Sequence, residues 1–219
     1  MKQFFTNALM EWNDNENTRS MPWKGEKDPY RIWLSEIILQ QTRVEQGWAY
    51  YEKFILNYPT VQELAAAPEE AAFRLWQGLG YYARCKNMLA AARQIASQYH
   101  GHFPNTYDTI QSLKGVGPYT AAAIASFAFN LPHAVLDGNV FRVLSRFFDI
   151  DTPIDTTAGK NNSPHWRRNC FLTENQLRIT RPLWTSALLY VNRNNPPVKA
   201  VRLPQNAKVI SRDSPHSCP

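Results

Sequence analysis

The sequence has few cysteines, no long hydrophobic run and, in its first 160 residues, no excess of basic charge. Without an apolar run of about 20 residues, it offers no candidate for a membrane-spanning helix. Its start, MKQFFTNALMEW, lacks the apolar core and small-residue cleavage site of a signal peptide. Three cysteines, Cys85, Cys170 and Cys218, do not make a disulfide framework. These absences favour a soluble cytoplasmic protein.

The net charge of +6 is unevenly distributed along the chain. Residues 1–160 hold 15 Lys and Arg against 16 Asp and Glu, whereas residues 161–219 hold 9 against 2. A basic balance is a general sign of nucleic-acid binding. Here that sign comes from the last 59 residues alone, so charge does not identify a partner for the first 160.

Residues 1–160 read as one helix after another with short connections, which predicts an all-α fold. Asp28 and Pro29 form a helix start, and the helix they open is apolar on most faces over YRIWLSEIILQQTRV. Thr60 and Glu63 form a capping box for a second helix. A short helix, a GLG or GVG turn and another helix occur at 68–99 and again at 106–129.

The turn in SLKGVGPYTAAAI carries the most informative pattern in the chain. Gly115 and Gly117 allow positive φ and close approach, and Pro118 fits the first turn of the next helix. The unpaired amides and the dipole at a helix N-terminus favour an anion such as a DNA phosphate. A tight helix–helix turn that binds nothing has the same spacing, so the turn alone leaves both interpretations open.

The wider context of this turn resembles a known family. LKGVGPYTAAAI followed by HAVLDGNVFRVLSR resembles the helix-hairpin-helix Gly/Pro-Asp signature of a DNA glycosylase superfamily. PWKGEKDPYRIWLSEIILQQTRV and LWQGLGYYARCKNM are similar to its adenine DNA glycosylase branch. This resemblance implies a monomeric base-excision-repair enzyme that hydrolyses the N-glycosidic bond of adenine mispaired with 8-oxoguanine or guanine in double-stranded DNA. In a bacterium such an enzyme is expected at the nucleoid.

The resemblance implies catalytic roles for Glu36, Asp137 and Asn139, and it makes Tyr119 a fourth residue of the catalytic site. Glu36 would protonate the adenine, and Asp137 would stabilise or trap the sugar cation, with Asn139 orienting the site. Spacing alone favours the interpretation of Glu36, Gln40 and Arg43 as the polar stripe of a helix. Asp137 also fits a plain N-cap, and this role is compatible with the catalytic one.

Tyr119 stands where bifunctional relatives carry a lysine that attacks the sugar. Because tyrosine forms no Schiff base, we expect little strand-nicking activity. An endonuclease III-type enzyme acting on pyrimidine lesions is the nearest enzymatic alternative. A helix-hairpin-helix module that binds DNA without catalysis is the other.

Further residues are assigned by the resemblance to DNA binding and to the base pocket. The adenine must leave the stack before it is cut, and Gln41 and Tyr81 resemble residues that wedge into the duplex. For Trp33, Tyr81 and Tyr82, packing in the core is an equal alternative. The predicted DNA contacts are Gln41, Tyr81, Tyr82, Lys114, Gly115, Val116, Gly117, Tyr119 and Thr120. The predicted base pocket is Arg31, Trp33 and Gln40.

The chain departs from the family after residue 160. The family continues with four cysteines spaced C-x6-C-x2-C-x5-C that bind a [4Fe–4S] cluster, and then with a C-terminal domain for 8-oxoguanine recognition. Here helical periodicity fades, seven of the 15 prolines fall in 161–219, and the cysteine spacing is absent. No metal ligands are therefore predicted in this chain.

A one-base change of reading frame near residue 160 accounts for the departure. Reading the last base of each codon with the next two bases gives cysteine wherever a codon ending in T precedes Val or Ala. This can occur at Tyr190–Val191, Pro197–Val198, Ala200–Val201 and Asn206–Ala207, separated by 7, 3 and 6 residues. Those separations reproduce the family spacing. In the shifted frame, LWTSA at 183–187 also reads as MDFGA, similar to the family segment before its first cysteine.

Together these observations predict four regions. Residues 1–27 form a helix that packs on the second domain in the family, and residues 28–136 form a six-helix domain with the hairpin at about 106–129. Residues 137–160 begin the incomplete second domain and contain the catalytic aspartate. Residues 161–219 are predicted to be an out-of-frame, poorly ordered tail.

Overall fold

The computed structural model describes residues 25–135 and, outside that range, residues 7, 10, 11, 14, 15, 138 and 140. These residues form helices and turns with no strand among them, which confirms the all-α prediction for this part. No helix in it is both long enough and apolar enough to cross a bilayer. The helices between residues 25 and 135 are α1 Pro29–Leu39, α2 Val44–Asn57, α3 Val61–Ala66, α4 Glu69–Trp76, α5 Tyr82–Gln98, α6 Tyr107–Gln111 and α7 Pro118–Phe129.

Helices α1 and α7 lie at the centre of this bundle. They pack against each other, and α7 buries every residue from Thr120 to Phe127. Around them, α2 packs on α1, α6 on α7, and α5 contacts both α3 and α4. Trp33 of α1 and Trp76 of α4 are fully buried in the same core. The helix that carries Glu36 is therefore held on several sides.

Two helix starts expected from the sequence are confirmed. Asp28 caps α1, its Oδ1 accepting a hydrogen bond from the Tyr30 amide at 2.9 Å, and Pro29 occupies the first turn. Thr60 and Glu63 form the reciprocal capping box of α3. Local side-chain chemistry places both starts, because each cap binds amides within its own first turn.

The predicted end of the first helix is wrong. The sequence predicts that this helix continues through QQTRV, but α1 ends at Leu39 and the chain turns over Gln40–Arg43 before α2 begins at Val44. Gln41 in this turn has a φ of +58°. Helix α2 was not foreseen, so residues 25–135 hold seven helices where six were expected between 28 and 136. A residue distant in sequence, Arg84, binds the carbonyl groups at the end of α1.

The repeated hairpin pattern is confirmed as two helix pairs, α4–α5 and α6–α7. The first turn has positive φ at Gly78, Gly80 and Tyr81. The second has positive φ at Gly115, and Gly117 is the N-cap of α7. Both turns lie at the start of a long helix, α5 or α7, and both contain predicted DNA contacts.

Candidate functional site

Glu36 lies in the middle of α1 with only 7% of its surface exposed. Every other carboxylate side chain among the described residues is at least partly exposed. A helix stripe that simply faces water would not bury its central acid, so the burial favours the functional interpretation of Glu36 over a solvated stripe. A buried carboxylic acid beside a binding site can supply a proton to a reacting base.

Gln40 connects the Glu36 helix to the hairpin. It lies one turn after Glu36, and its Nε2 donates to the Thr120 hydroxyl of α7 at 3.4 Å. Thr120 is buried, and Tyr119 beside it is half-buried in the same first turn of α7. The structure therefore brings three predicted site residues together where α1 meets the N-terminus of α7.

The hairpin turn is tied to its surroundings by two of its own amides. The Lys114 amide donates to Gln94 Oε1 at 3.2 Å, and the Val116 amide donates to the Leu113 carbonyl at 3.0 Å. Val116 is also buried. These two amides already have protein acceptors. A phosphate at this turn would therefore be approached through the exposed Lys114 side chain and the open space at Gly117.

Gln41 and Tyr81 are both exposed and both have left-handed backbone, with φ of +58° and +49°. Tyr81 is 68% exposed, an unusual position for a large aromatic side chain. Tyr82 is 47% exposed and contacts Phe73 edge-on, with ring centroids 6.0 Å apart. The core-packing alternative therefore does not describe Tyr81, and it describes Tyr82 only in part.

The predicted base-pocket residues lie in different surroundings. Arg31 is near the start of α1, where its guanidinium contacts Glu26 at 3.5 Å and Asp28 at 3.7 Å. Trp33 is fully buried, and its ring lies 5.7 Å from that of Phe103. Its Nε1 has no hydrogen-bond partner among the described residues. A pocket role for Arg31 and Trp33 stays a prediction.

Asp137 and Asn139 lie outside the described residues. Their roles and their distance from Glu36 therefore stay predictions from the resemblance.

Sequence reasoning missed Arg84, which lies between the turn at residues 40–43 and the turn that joins α4 to α5. It contacts backbone carbonyls at the end of α1 and in the α4–α5 turn. Burial lowers the pKa of its guanidinium, with the neighbouring Tyr81 acting in the opposite direction. Nothing in ARCKN marks this arginine in the sequence, because its partners lie up to 47 residues away.

The residues of this chain do not fit a [4Fe–4S] cluster bound by four cysteines. The whole sequence contains three. Cys85 is fully buried in α5, and burial raises the pKa of its thiol to about 12. The described residues contain no group of three or more potential metal ligands. No chemistry is assigned to a cluster here.

The family model and the curated relatives that match this chain are all DNA repair proteins. The family model of the HhH-GPD superfamily base excision DNA repair proteins matches residues 34–162. The chain is 42% identical over 147 residues to an adenine DNA glycosylase of Buchnera aphidicola subsp. Baizongia pistaciae, covering 67% of this chain and 42% of the relative. It is 42% identical over 151 residues to the Homo sapiens adenine DNA glycosylase, covering 65% of this chain and 28% of the relative. The chain thus spans less than half the length of these curated relatives.

Solved structures share the fold at lower identity. A thermostable thymine-DNA glycosylase superposes with a TM-score of 0.77 at 23% identity, covering 89% of each chain. An endonuclease III in a trapped covalent complex with DNA superposes with a TM-score of 0.66 at 19% identity, covering 84% of each chain. At these identities the likeness establishes the fold alone.

Proposed function

The chain belongs to the HhH-GPD superfamily of base excision DNA repair proteins. Within this superfamily, we propose that it is an adenine DNA glycosylase. The proposed reaction is hydrolysis of the N-glycosidic bond of adenine opposite 8-oxoguanine or guanine in double-stranded DNA. The identity of 42% to adenine DNA glycosylases supports this reaction over the pyrimidine-lesion alternative.

The buried carboxyl group of Glu36 is the observation that carries the proposal. As the bond between adenine and C1′ breaks, the acid transfers its proton to the leaving base. Water then adds to C1′ and gives a proton to the Glu36 carboxylate, which restores the acid. Asp137 is proposed to stabilise the positive charge that develops on the sugar in between.

Tyr119 supports a reaction that stops at the abasic site. Because its phenol cannot form a Schiff base with the sugar, the chain offers no amine at this position for strand cleavage. Product strands should therefore break only after treatment with alkali.

The test is single-turnover excision of adenine opposite 8-oxoguanine, measured for the wild-type chain, Glu36→Gln and the matched control Glu45→Gln. Glu45 is an exposed carboxylate in the first turn of α2. Loss of a general acid should slow excision by about 10²–10⁴-fold in Glu36→Gln and leave Glu45→Gln unchanged. The assay is run on the chain as printed and on a chain with residues 161 onward in the shifted frame. Equal rates for an active wild type and its Glu36→Gln variant would refute the role of Glu36.

A further inference from the structure

Arg84, in the first turn of α5, binds two separate stretches of backbone. Its Nη1 donates to the carbonyl oxygens of Ile37 and Ile38, each at 3.2 Å, and to that of Gln40. Its Nη2 donates to the Leu79 carbonyl at 3.4 Å. One planar group thus joins the C-terminus of α1 to the turn between α4 and α5.

The same guanidinium packs on two aromatic rings. Its Cζ lies 5.3 Å from the Trp76 ring centroid and 5.6 Å from that of Tyr81. The Trp76 Nε1 in turn donates to the Gly80 carbonyl at 2.9 Å, next to Tyr81. Arg84 therefore contacts Tyr81 directly. It also contacts Trp76, which binds the carbonyl of Gly80, the residue before Tyr81.

These contacts explain how two strained residues are held. The last carbonyl groups of a helix lack partners within the helix, and a positive charge there is favourable. Arg84 supplies hydrogen-bond donors and a positive charge at the end of α1, immediately before Gln41. A left-handed conformation is unfavourable for a non-glycine residue and persists only where surrounding contacts fix it. Gln41 and Tyr81 both have this conformation.

We propose that Arg84 is a positioning residue that holds Gln41 and Tyr81 at a fixed separation, so that the two side chains enter DNA as one wedge. The inference rests on the proposed function, because it needs a duplex in which a base is displaced. Lysine cannot replace arginine in this role. Its ammonium group cannot bind both backbone stretches with a flat fork of donors while lying against two rings.

Arg93 provides a matched control on the same helix. Its guanidinium donates to the carbonyl oxygens of Ala65 and Ala67 at the end of α3, at 3.5 and 3.4 Å. It therefore holds another helix end and has no described contact with Gln41 or Tyr81. Arg93→Lys changes the same chemistry at a site away from the two turns.

The first experiment is amide hydrogen exchange on the full chain without DNA. In Arg84→Lys, we expect amides in residues 40–43 and in residues 78–82 to exchange at least about tenfold faster together, which corresponds to about 1.4 kcal/mol. In Arg93→Lys, both segments should keep wild-type rates. Wild-type exchange in either segment of Arg84→Lys, or equal acceleration in Arg93→Lys, would overturn the inference.

The second experiment measures the wedge itself. A duplex with 2-aminopurine beside an A:8-oxoguanine pair should brighten when the wild-type chain binds and unstacks it. Arg84→Lys should reduce this change by at least about fivefold at saturating protein, and Arg93→Lys should not. In a Gln41→Ala/Tyr81→Ala background, Arg84→Lys should have no additional effect, because the side chains it positions are gone. A further loss in that background would indicate general loosening and refute the positioning role.

The two experiments separate failure of the inference from failure of the proposed function. If neither the chain as printed nor the chain in the shifted frame causes unstacking, the proposed function fails, whereas hydrogen exchange still decides whether Arg84 fixes both turns. If unstacking occurs and Arg84→Lys retains it, the function stands and the positioning role is refuted.

Discussion

At the scale of single residues, two glycines in the same turn have different requirements. Gly115 has a φ of +76°, and a Cβ there would lie 2.7 Å from Asn87 Cβ. Gly117 has a φ of −84°, and a Cβ there would meet nothing within 4 Å. The sequence pattern GVG does not distinguish these two glycines. In the structure, Gly115 has a backbone conformation and a close neighbour that disfavour a side chain, whereas Gly117 leaves open space beside the start of α7.

This difference predicts separate effects of two alanine substitutions. Gly115→Ala should reduce the free energy of unfolding by about 1–3 kcal/mol, because alanine is strained at positive φ and crowds Asn87. Gly117→Ala should cost less than about 1 kcal/mol as an N-cap change, but should weaken DNA binding by filling the open space. Urea unfolding and duplex titration of both variants test this. Equal destabilisation by the two substitutions would contradict the structural distinction.

At the scale of elements, helix starts are governed by local caps and the end of α1 by a distant side chain. Thr60 and Glu63 bind each other's amides within one turn of α3. Arg84 reaches the end of α1 from α5. Helix α3 therefore keeps its start as long as its own sequence is intact, whereas α1 ends where it does only in the folded bundle.

Removing the cap of α3 should lower stability without changing the site. Thr60→Ala loses one side of the capping box and should reduce the free energy of unfolding by about 0.5–2 kcal/mol. Ser97→Ala is the control, since that exposed hydroxyl bonds a carbonyl within α5 and its loss should cost less than about 0.5 kcal/mol. Chemical denaturation measures both. An effect of Thr60→Ala no larger than that of Ser97→Ala would show that the box contributes little.

At the scale of the whole molecule, residues 1–160 resemble the family and residues 161–219 do not. The match to the family model ends at residue 162, close to the point where the sequence predicts a change of reading frame. Beyond it the chain has two cysteines, Cys170 and Cys218, where the resemblance implies four clustered ligands. Residues 161–219 therefore lack the four clustered cysteines of the domain that the resemblance implies.

The chain as printed should consequently have weak or no excision activity. Resequencing codons 150–219 and reading all three frames is the first check. If a shifted frame encodes the four cysteines, a chain in that frame should bind about four iron atoms and excise adenine. If no frame encodes them, the frameshift hypothesis is wrong. Efficient adenine excision by the purified 219-residue chain would refute the prediction of weak activity.

A buried tyrosine and a buried cysteine in the bundle predict that the protein loses stability at alkaline pH. Burial raises the pKa of Tyr51 to about 12, from an ordinary value of 10, and that of Cys85 to about 12, from 9. Because the folded chain holds these protons more tightly, their contribution to stability is complete below pH 9. It is then lost as the pH rises towards 12. Urea unfolding from pH 8 to 11 should show this decline. The decline should be smaller in Tyr51→Phe and unchanged in the exposed control Tyr82→Phe.

The sequence by itself determined the helical class, the starts of α1 and α3, both hairpins and the family. These features depend on contacts within a few residues, such as caps, glycine turns and hydrophobic spacing. The likeness of several separated motifs in order then indicated the chemistry. Glu36 could be named from its motif, but spacing alone did not distinguish a buried acid from a polar stripe.

Only the tertiary structure decided where α1 ends, that Glu36 is buried, and which residues come together. The hydrogen bond from Gln40 to Thr120 joins residues 80 positions apart, and Arg84 joins the turns at Gln41 and Tyr81. No local pattern records such contacts, because their free energy comes from packing elements that are distant in the chain. The end of α1 illustrates the reason: Gln40, its C-cap, contacts Arg84 of α5 and Thr120 of α7, and neither contact can be read from the sequence around it.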